Sequence, residues 1–216
     1  MGFVVALNPI YLETNGCERI VAEKPIYIVL TDTGTWFTRM IRMYTKAPLN
    51  HASIAFDAEL FEVYSFGRKT PGNPFVGGFV KEDFRGKLFR DATCAIYKCV
   101  IDVQHYNCIR SSIRRFEREA HLYKYNLLGL FAVMFNVKVH RNHAFFCSQF
   151  VAFLFDQAGI RLVQKCPSLT TPSDIGNSDN LELLYFGKLQ SFIGRRPEDF
   201  DNMSSMLGGM SSTTIG

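Results

Sequence analysis

The run Ala144-Phe145-Phe146-Cys147-Ser148-Gln149-Phe150-Val151-Ala152-Phe153-Leu154-Phe155 constrains this chain more than any other stretch. It holds no charge, and Gly159 beyond it is a helix stop signal. Apolar side chains fall on nearly every face of such a helix, which suits a buried element and not a surface one. The segment is therefore expected in the middle of a domain, covered by other elements. A chain of 216 residues that is 47% hydrophobic can supply that cover, since a domain of this size buries roughly 70% of its unfolded surface. Disorder is excluded by the same apolar content.

The remaining pattern predicts strands and helices in mixture, an α+β fold class. Ile26-Tyr27-Ile28-Val29-Leu30 after Pro25 reads as a buried strand. Thr31 to Gly34 offers capping groups to a helix with Phe37, Met40, Ile41 and Tyr44 on one face and Pro48 at its end. His51 to Phe56 and Leu60 to Phe66 read as a hairpin joined by Asp57-Ala58-Glu59. Gly67 to Gly78 reads as a loop, and Thr93 to Ile101 as another strand. Tyr106, Ile109, Ile113, Phe116, Ala120 and Tyr123 form one apolar stripe of a helix from Val103 to about Tyr123, with Asp102 as N-cap. Asn126 to Phe135 is a further apolar helix candidate. Thr171-Pro172-Ser173-Asp174 has the form of a short-helix start, and Leu181 to Phe186 reads as a last strand. Residues 1–24, with a turn signal at Asn15-Gly16, form an N-terminal extension; the chain from Gly194 onward turns polar and low in complexity.

Charge and cysteine usage narrow the function classes. A net charge of +4 is too small to imply a nucleic-acid binder. The six cysteines, at 17, 94, 99, 108, 147 and 166, include no C-x-x-C pair, which argues against a zinc ribbon or a thioredoxin-type motif. His140 and His143, or Cys94, Cys99 and Cys108, lack convincing ligand spacing, so neither a metal nor a cofactor is expected. No phosphate loop, dinucleotide fingerprint or G-x-S-x-G elbow occurs. The longest uncharged apolar stretches are 13 and 14 residues, short of the ~20 needed to span a bilayer. With no basic n-region at the start, a cytoplasmic protein with reduced thiols is expected. Arg110, Arg114 and Arg118 make a basic stripe that could touch an anionic surface; Glu117 and Glu119 interrupt it and favour an ordinary solvated face.

Cys147 stands at the start of the buried helix, where unpaired N–H groups and the positive dipole end favour a thiolate. His51 opens a strand and is the candidate base. They are 96 positions apart, so only the fold can bring the two together.

Asn50-His51-Ala52-Ser53-Ile54-Ala55-Phe56-Asp57 and Phe146-Cys147-Ser148-Gln149-Phe150-Val151 resemble the two signatures of the NlpC-like, papain-fold cysteine peptidase superfamily. Histidine precedes cysteine here, the order of the circularly permuted branch, the YiiX/YebB-like proteins. The strand and helix before His51 and the Leu169-to-Ile175 segment after Cys147 agree with that branch. The resemblance spans about residues 25–190, which sets a catalytic domain at 25–192 and a C-terminal tail at 193–216, expected to be disordered. It implies a permuted papain-like fold: an antiparallel sheet or partial barrel packed on a central cysteine-bearing helix, with additional helices. It also implies Cys147 as nucleophile, its own N–H in an oxyanion hole, and His51 as general base and then acid. A third residue, from the strand after the histidine, should orient the imidazole. Glu62 is the chemical choice there. Hairpin register instead favours Ser65 with a three-residue loop, or Tyr64 with a two-residue loop. Phe146 departs from the polar residue that many members carry before the cysteine.

The expected activity is a cysteine hydrolase of peptidase or amidase type, working through a thioester acyl-enzyme on a peptide, amide or acyl-lipid substrate. An acyltransferase or lipid hydrolase of the same fold, or a non-catalytic module binding through the arginine stripe, are the alternatives.

Overall fold

Ile26, Ile28 and Leu30 alternate with Tyr27 and Val29, so one strand presents two apolar faces and must be covered on both sides. That strand follows a short antiparallel pair of strands. The computed structural model describes residues 10–12, 19–34, 48–68, 77–126 and 143–195. Within them, β1 (Ile10–Leu12) and β2 (Arg19–Val21) pair antiparallel, and β3 (Glu23–Asp32) enters the main sheet. β4 (His51–Ala55), β5 (Val63–Arg68), β6 (Gly77–Glu82) and β7 (Thr93–Asp102) follow, then helix α1 (Val103–Arg118). A two-stranded parallel pair joins β8 (Lys124–Tyr125) to β9 (Ala144–Phe145). After it come α2 (Cys147–Gln157), α3 (Pro172–Gly176), β10 (Glu182–Lys188) and α4 (Leu189–Ile193).

The main sheet runs β10-β7-β3-β4-β5-β6, with every neighbour antiparallel. The fold is thus mixed α+β, a mostly antiparallel sheet with few helices. One face of the sheet, with Ile26, Ile28, Leu30, Ala52, Ile54 and Phe66, packs on α1 and α2. The other, with Tyr27, Val29, Ala55 and Val63, is covered by Phe84, Phe89 and α4. As its composition requires, α2 is buried over most of its circumference; Phe150, Val151, Leu154 and Phe155 are inaccessible to solvent. Phe150 meets the rings of Phe66, Phe116 and Phe79 at centroid distances of 5.0, 5.2 and 5.8 Å.

Local signals mostly act where they stand. The Asp102 carboxylate accepts from the N–H groups of Gln104 and His105, at 2.8 and 2.9 Å, and starts α1. Thr171 and Asp174 form a reciprocal capping box with Pro172 in the first turn. Gly159 takes φ +80° at the stop of α2.

Three expectations need correction. The segment read as a loop from Gly67 to Gly78 carries the end of β5 and the start of β6. The α1 helix stops at Arg118, where the chain turns so that Lys124 can pair beside His143; Tyr123 still reaches the core. The hairpin connection is longer than three residues. Phe56 to Glu62 form it, with the Asp57 carboxylate holding the N–H groups of Phe61 and Glu62 and Leu60 at φ +59°. The helices expected at 37–44 and 126–135, the Asn15-Gly16 turn and the tail beyond 195 lie outside the described residues, apart from Asn126.

Truncating Phe150 to Ala should cost about 3–5 kcal/mol of stability in urea unfolding. Phe186→Ala, which removes a ring 63% exposed at the sheet edge, should stay within about 0.5 kcal/mol.

Candidate active site

Both chemical groups sit at the ends of elements, where backbone hydrogen bonds are left over for side chains. His51 is the first residue of β4, anchored by the Asn50 N–H donating to the Thr31 carbonyl at 3.1 Å. Cys147 is the first residue of α2. The strand pair β8–β9 delivers the chain to it, and Phe146 stands at the N-cap without a side-chain cap. The Ser148 hydroxyl donates to the Thr170 carbonyl at 2.7 Å, which pins the first turn of α2 to the segment before α3.

The β4–β5 ladder pairs Ile54 with Tyr64 and Ala55 with Val63, and goes no further. Beyond it the Ala52 carbonyl accepts the Ser65 hydroxyl at 2.7 Å, and the Ala52 N–H is directed to the Cys147 sulfur. The thiol therefore occupies the place where a strand pairing has opened. His51 hydrogen-bonds it from β4. The other side of the imidazole is held by Glu82 of β6, whose Oε1 lies 2.8 Å from Nε2. The second carboxylate oxygen of Glu82, Oε2, accepts the Ser53 hydroxyl at 2.5 Å. The cluster is shielded: the side chains of His51 and Glu82 are 16% and 8% exposed, and Cys147 is 2% exposed.

Burial by itself raises a thiol and lowers an imidazole. Cys94 shows the first effect, pushed up to about 12 by burial, and Cys99, pushed up to about 11. Cys147 is buried too, yet it lies below the ordinary thiol value. Against its burial act the hydrogen bond and charge of His51 and the N–H groups of Ala52 and Ser148. His51 lies well above its ordinary value, because Glu82 and Cys147 together outweigh the burial that disfavours its cation. Cys147 is thus drawn toward the thiolate, where Cys94 and Cys99 are drawn away from it.

No family model, curated protein or solved structure matches the chain. The site is accordingly read from its own geometry. Of the residues singled out in the sequence, Cys147 and His51 are brought together. Glu62, Tyr64 and Ser65 are not placed against the imidazole. Glu62 pairs with Arg110 and accepts the Tyr64 hydroxyl at 3.0 Å, while Ser65 is turned to the strand backbone. The seven-residue connection moves the register so that Gly67, not Ser65 or Tyr64, falls opposite His51. The orienting carboxylate comes instead from one strand further on, Glu82. Its only sequence trace is an acid at the end of Gly78-Phe79-Val80-Lys81, a stretch too short and glycine-rich to read as a strand. Arg110 also stacks on Phe56 at 4.5 Å, so the arginine stripe keeps Arg114 and Arg118 as exposed cations. Among the described residues no three His, Cys, Asp or Glu side chains are grouped to hold a metal, and no helix is long and apolar enough to cross a membrane.

The shifts fix the sign of the pH dependence. A lowered thiol keeps its thiolate at a pH where ordinary thiols are protonated, and a raised imidazole keeps its proton to higher pH. Alkylation of Cys147 at pH 6 should therefore outpace that of Cys108 and Cys166. In His51→Ala, burial is opposed by the Ala52 and Ser148 N–H groups without the histidine, and the Cys147 rate at that pH should fall at least about tenfold, read by peptide mass spectrometry.

Proposed function

We propose that this chain is a cysteine hydrolase of the peptidase or amidase type, built on a permuted papain-like fold. The observation that carries the reading is the buried row Cys147–His51–Glu82, in which the imidazole interacts with the thiol and with the carboxylate. The histidine-before-cysteine order and the antiparallel sheet packed on the cysteine helix support it.

The chemistry starts from a thiolate and an imidazolium. The Cys147 sulfur attacks the substrate carbonyl carbon, and negative charge moves to its oxygen. The N–H of Cys147, at the uncapped start of α2, is the donor for that oxygen. The imidazolium then passes its proton to the leaving nitrogen, the C–N bond breaks, and a thioester remains on Cys147. Neutral His51 next takes a proton from water, which attacks the thioester. The carboxylic acid leaves and the thiolate–imidazolium pair is restored. Through both steps Glu82 stabilises the cation and fixes the ring, as a carboxylate behind a histidine does in other hydrolases.

A small activated ester such as p-nitrophenyl acetate tests this without knowledge of the natural substrate. The protein should release nitrophenolate and carry the acyl group on Cys147, seen by peptide mapping. Cys147→Ala should abolish the adduct, and His51→Ala should slow its formation about 100-fold or more. Acylation spread evenly over the cysteines, or undiminished in His51→Ala, would remove the basis of the proposal.

A further inference from the structure

The bond between His51 and Glu82 joins β4 to β6 and has to pass β5, which lies between them. Neighbouring strands are about 4.8 Å apart, so the two backbones are separated by about 10 Å. Continuing the Ile54–Tyr64 register places Gly67 opposite His51 and Ser65 opposite Ser53. On the side where the imidazole and carboxylate meet, β5 thus offers a hydroxymethyl group, turned to the Ala52 carbonyl, and a bare glycine. A Cβ on Gly67 would stand 3.7 Å from His51 Cε1, 3.8 Å from Val80 Cγ2 and 3.9 Å from Glu82 Oε1. It would touch both members of the pair. Gly67 is not among the positive-φ residues, so its backbone does not demand glycine; a lone Cβ fits at ordinary contact distance, and it is a larger, branched side chain that would press on the pair.

The carboxylate is gripped at its other oxygen. Ser53, two residues after His51 and fully buried, donates to Oε2 while Nε2 donates to Oε1. A glutamate's terminal torsion is broad when free, and two donors from one strand hold it in one setting. The groups facing Glu82 are His51 and Ser53 of β4, with Cys147 of α2 interacting with the same imidazole; Lys81 stands next to it in β6 and reaches over the Tyr64 ring at 5.9 Å.

We propose that Gly67 and Ser53 are positioning residues of the site: Gly67 is the window in β5 through which the carboxylate of β6 meets the imidazole of β4, and Ser53 clamps the carboxylate in it. This rests on the cysteine-hydrolase reading and assigns the groups that hold its proton in place.

The test is the rate of Cys147 alkylation by iodoacetamide from pH 5 to 9, with thermal unfolding of each variant alongside. Ser53→Ala should move the midpoint of the rate profile up by about one pH unit, a tenfold loss at pH 6. Gly67→Val, whose branches enter the pair, should do the same or more. Gly67→Ala, whose methyl sits at ordinary contact distance, should keep the wild-type profile. A folded Ser53→Ala or Gly67→Val with an unmoved midpoint overturns the role of that residue while leaving the hydrolase reading intact. Should Ser53→Ala fail to fold, Gly67→Val at its half-exposed position carries the test. A wild-type Cys147 that titrates as an ordinary thiol sinks the hydrolase reading, and the positioning roles with it.

Discussion

An imidazole held between a thiol and a carboxylate two strands away is the contact on which the rest of the site depends. It requires β4, β5 and β6 to lie side by side in this order, and the β4–β5 ladder to end before His51. It also requires α2 to begin where that ladder opens, so that Ala52 and Ser148 turn their N–H groups to one sulfur. The apolar helix supplies the force for this: Phe150, Val151, Leu154 and Phe155 lock α2 into the core, and Cys147 has no freedom left to sit elsewhere. Hydrophobic packing thus sets the position of a polar cluster that could not assemble by its own attraction.

Charges inside a protein persist only when paired and hydrogen-bonded, since an isolated one costs several kcal/mol or more to desolvate. Here the imidazole, drawn toward its cation, lies between a carboxylate and a thiol drawn toward its thiolate, and each of those two has further donors: Ser53 for the carboxylate, backbone N–H groups for the sulfur. Removing one member would leave the others uncompensated, which is why the cluster behaves as a unit. Cys94 and Cys99 show the opposite outcome of burial, neutral thiols among apolar neighbours.

What could be read in the sequence was what short-range chemistry decides. The uniform apolarity of α2, the carboxylate cap at Asp102 and the Thr171–Asp174 box are written in adjacent residues, and each one acts as read. Cys147 and His51 stood out because of where they fall on their elements. Glu82 did not, because its relevance exists only through strand order and register, which adjacent residues do not encode. The two-residue difference in hairpin register arose in the Asp57 turn: its carboxylate holds two N–H groups and makes a long connection as ordered as a short one. Glu62 was the plausible acid by charge, yet Arg110, on a helix far along the chain, draws it outward.

The small parallel pair β8–β9 has a further consequence. The N–H of Lys124 binds the His143 carbonyl and that of Asn126 binds the Phe145 carbonyl, at 2.8 Å each, so the chain is stapled to itself on either side of residues 127–142. Phe145 is thus held twice, by its carbonyl in this ladder and by its ring, which meets Phe66 and Phe116 at centroid distances of 5.1 and 5.6 Å. Backbone and ring together fix where the chain stands two residues before Cys147, so the start of α2 is anchored from outside the helix as well as by the helix's own packing.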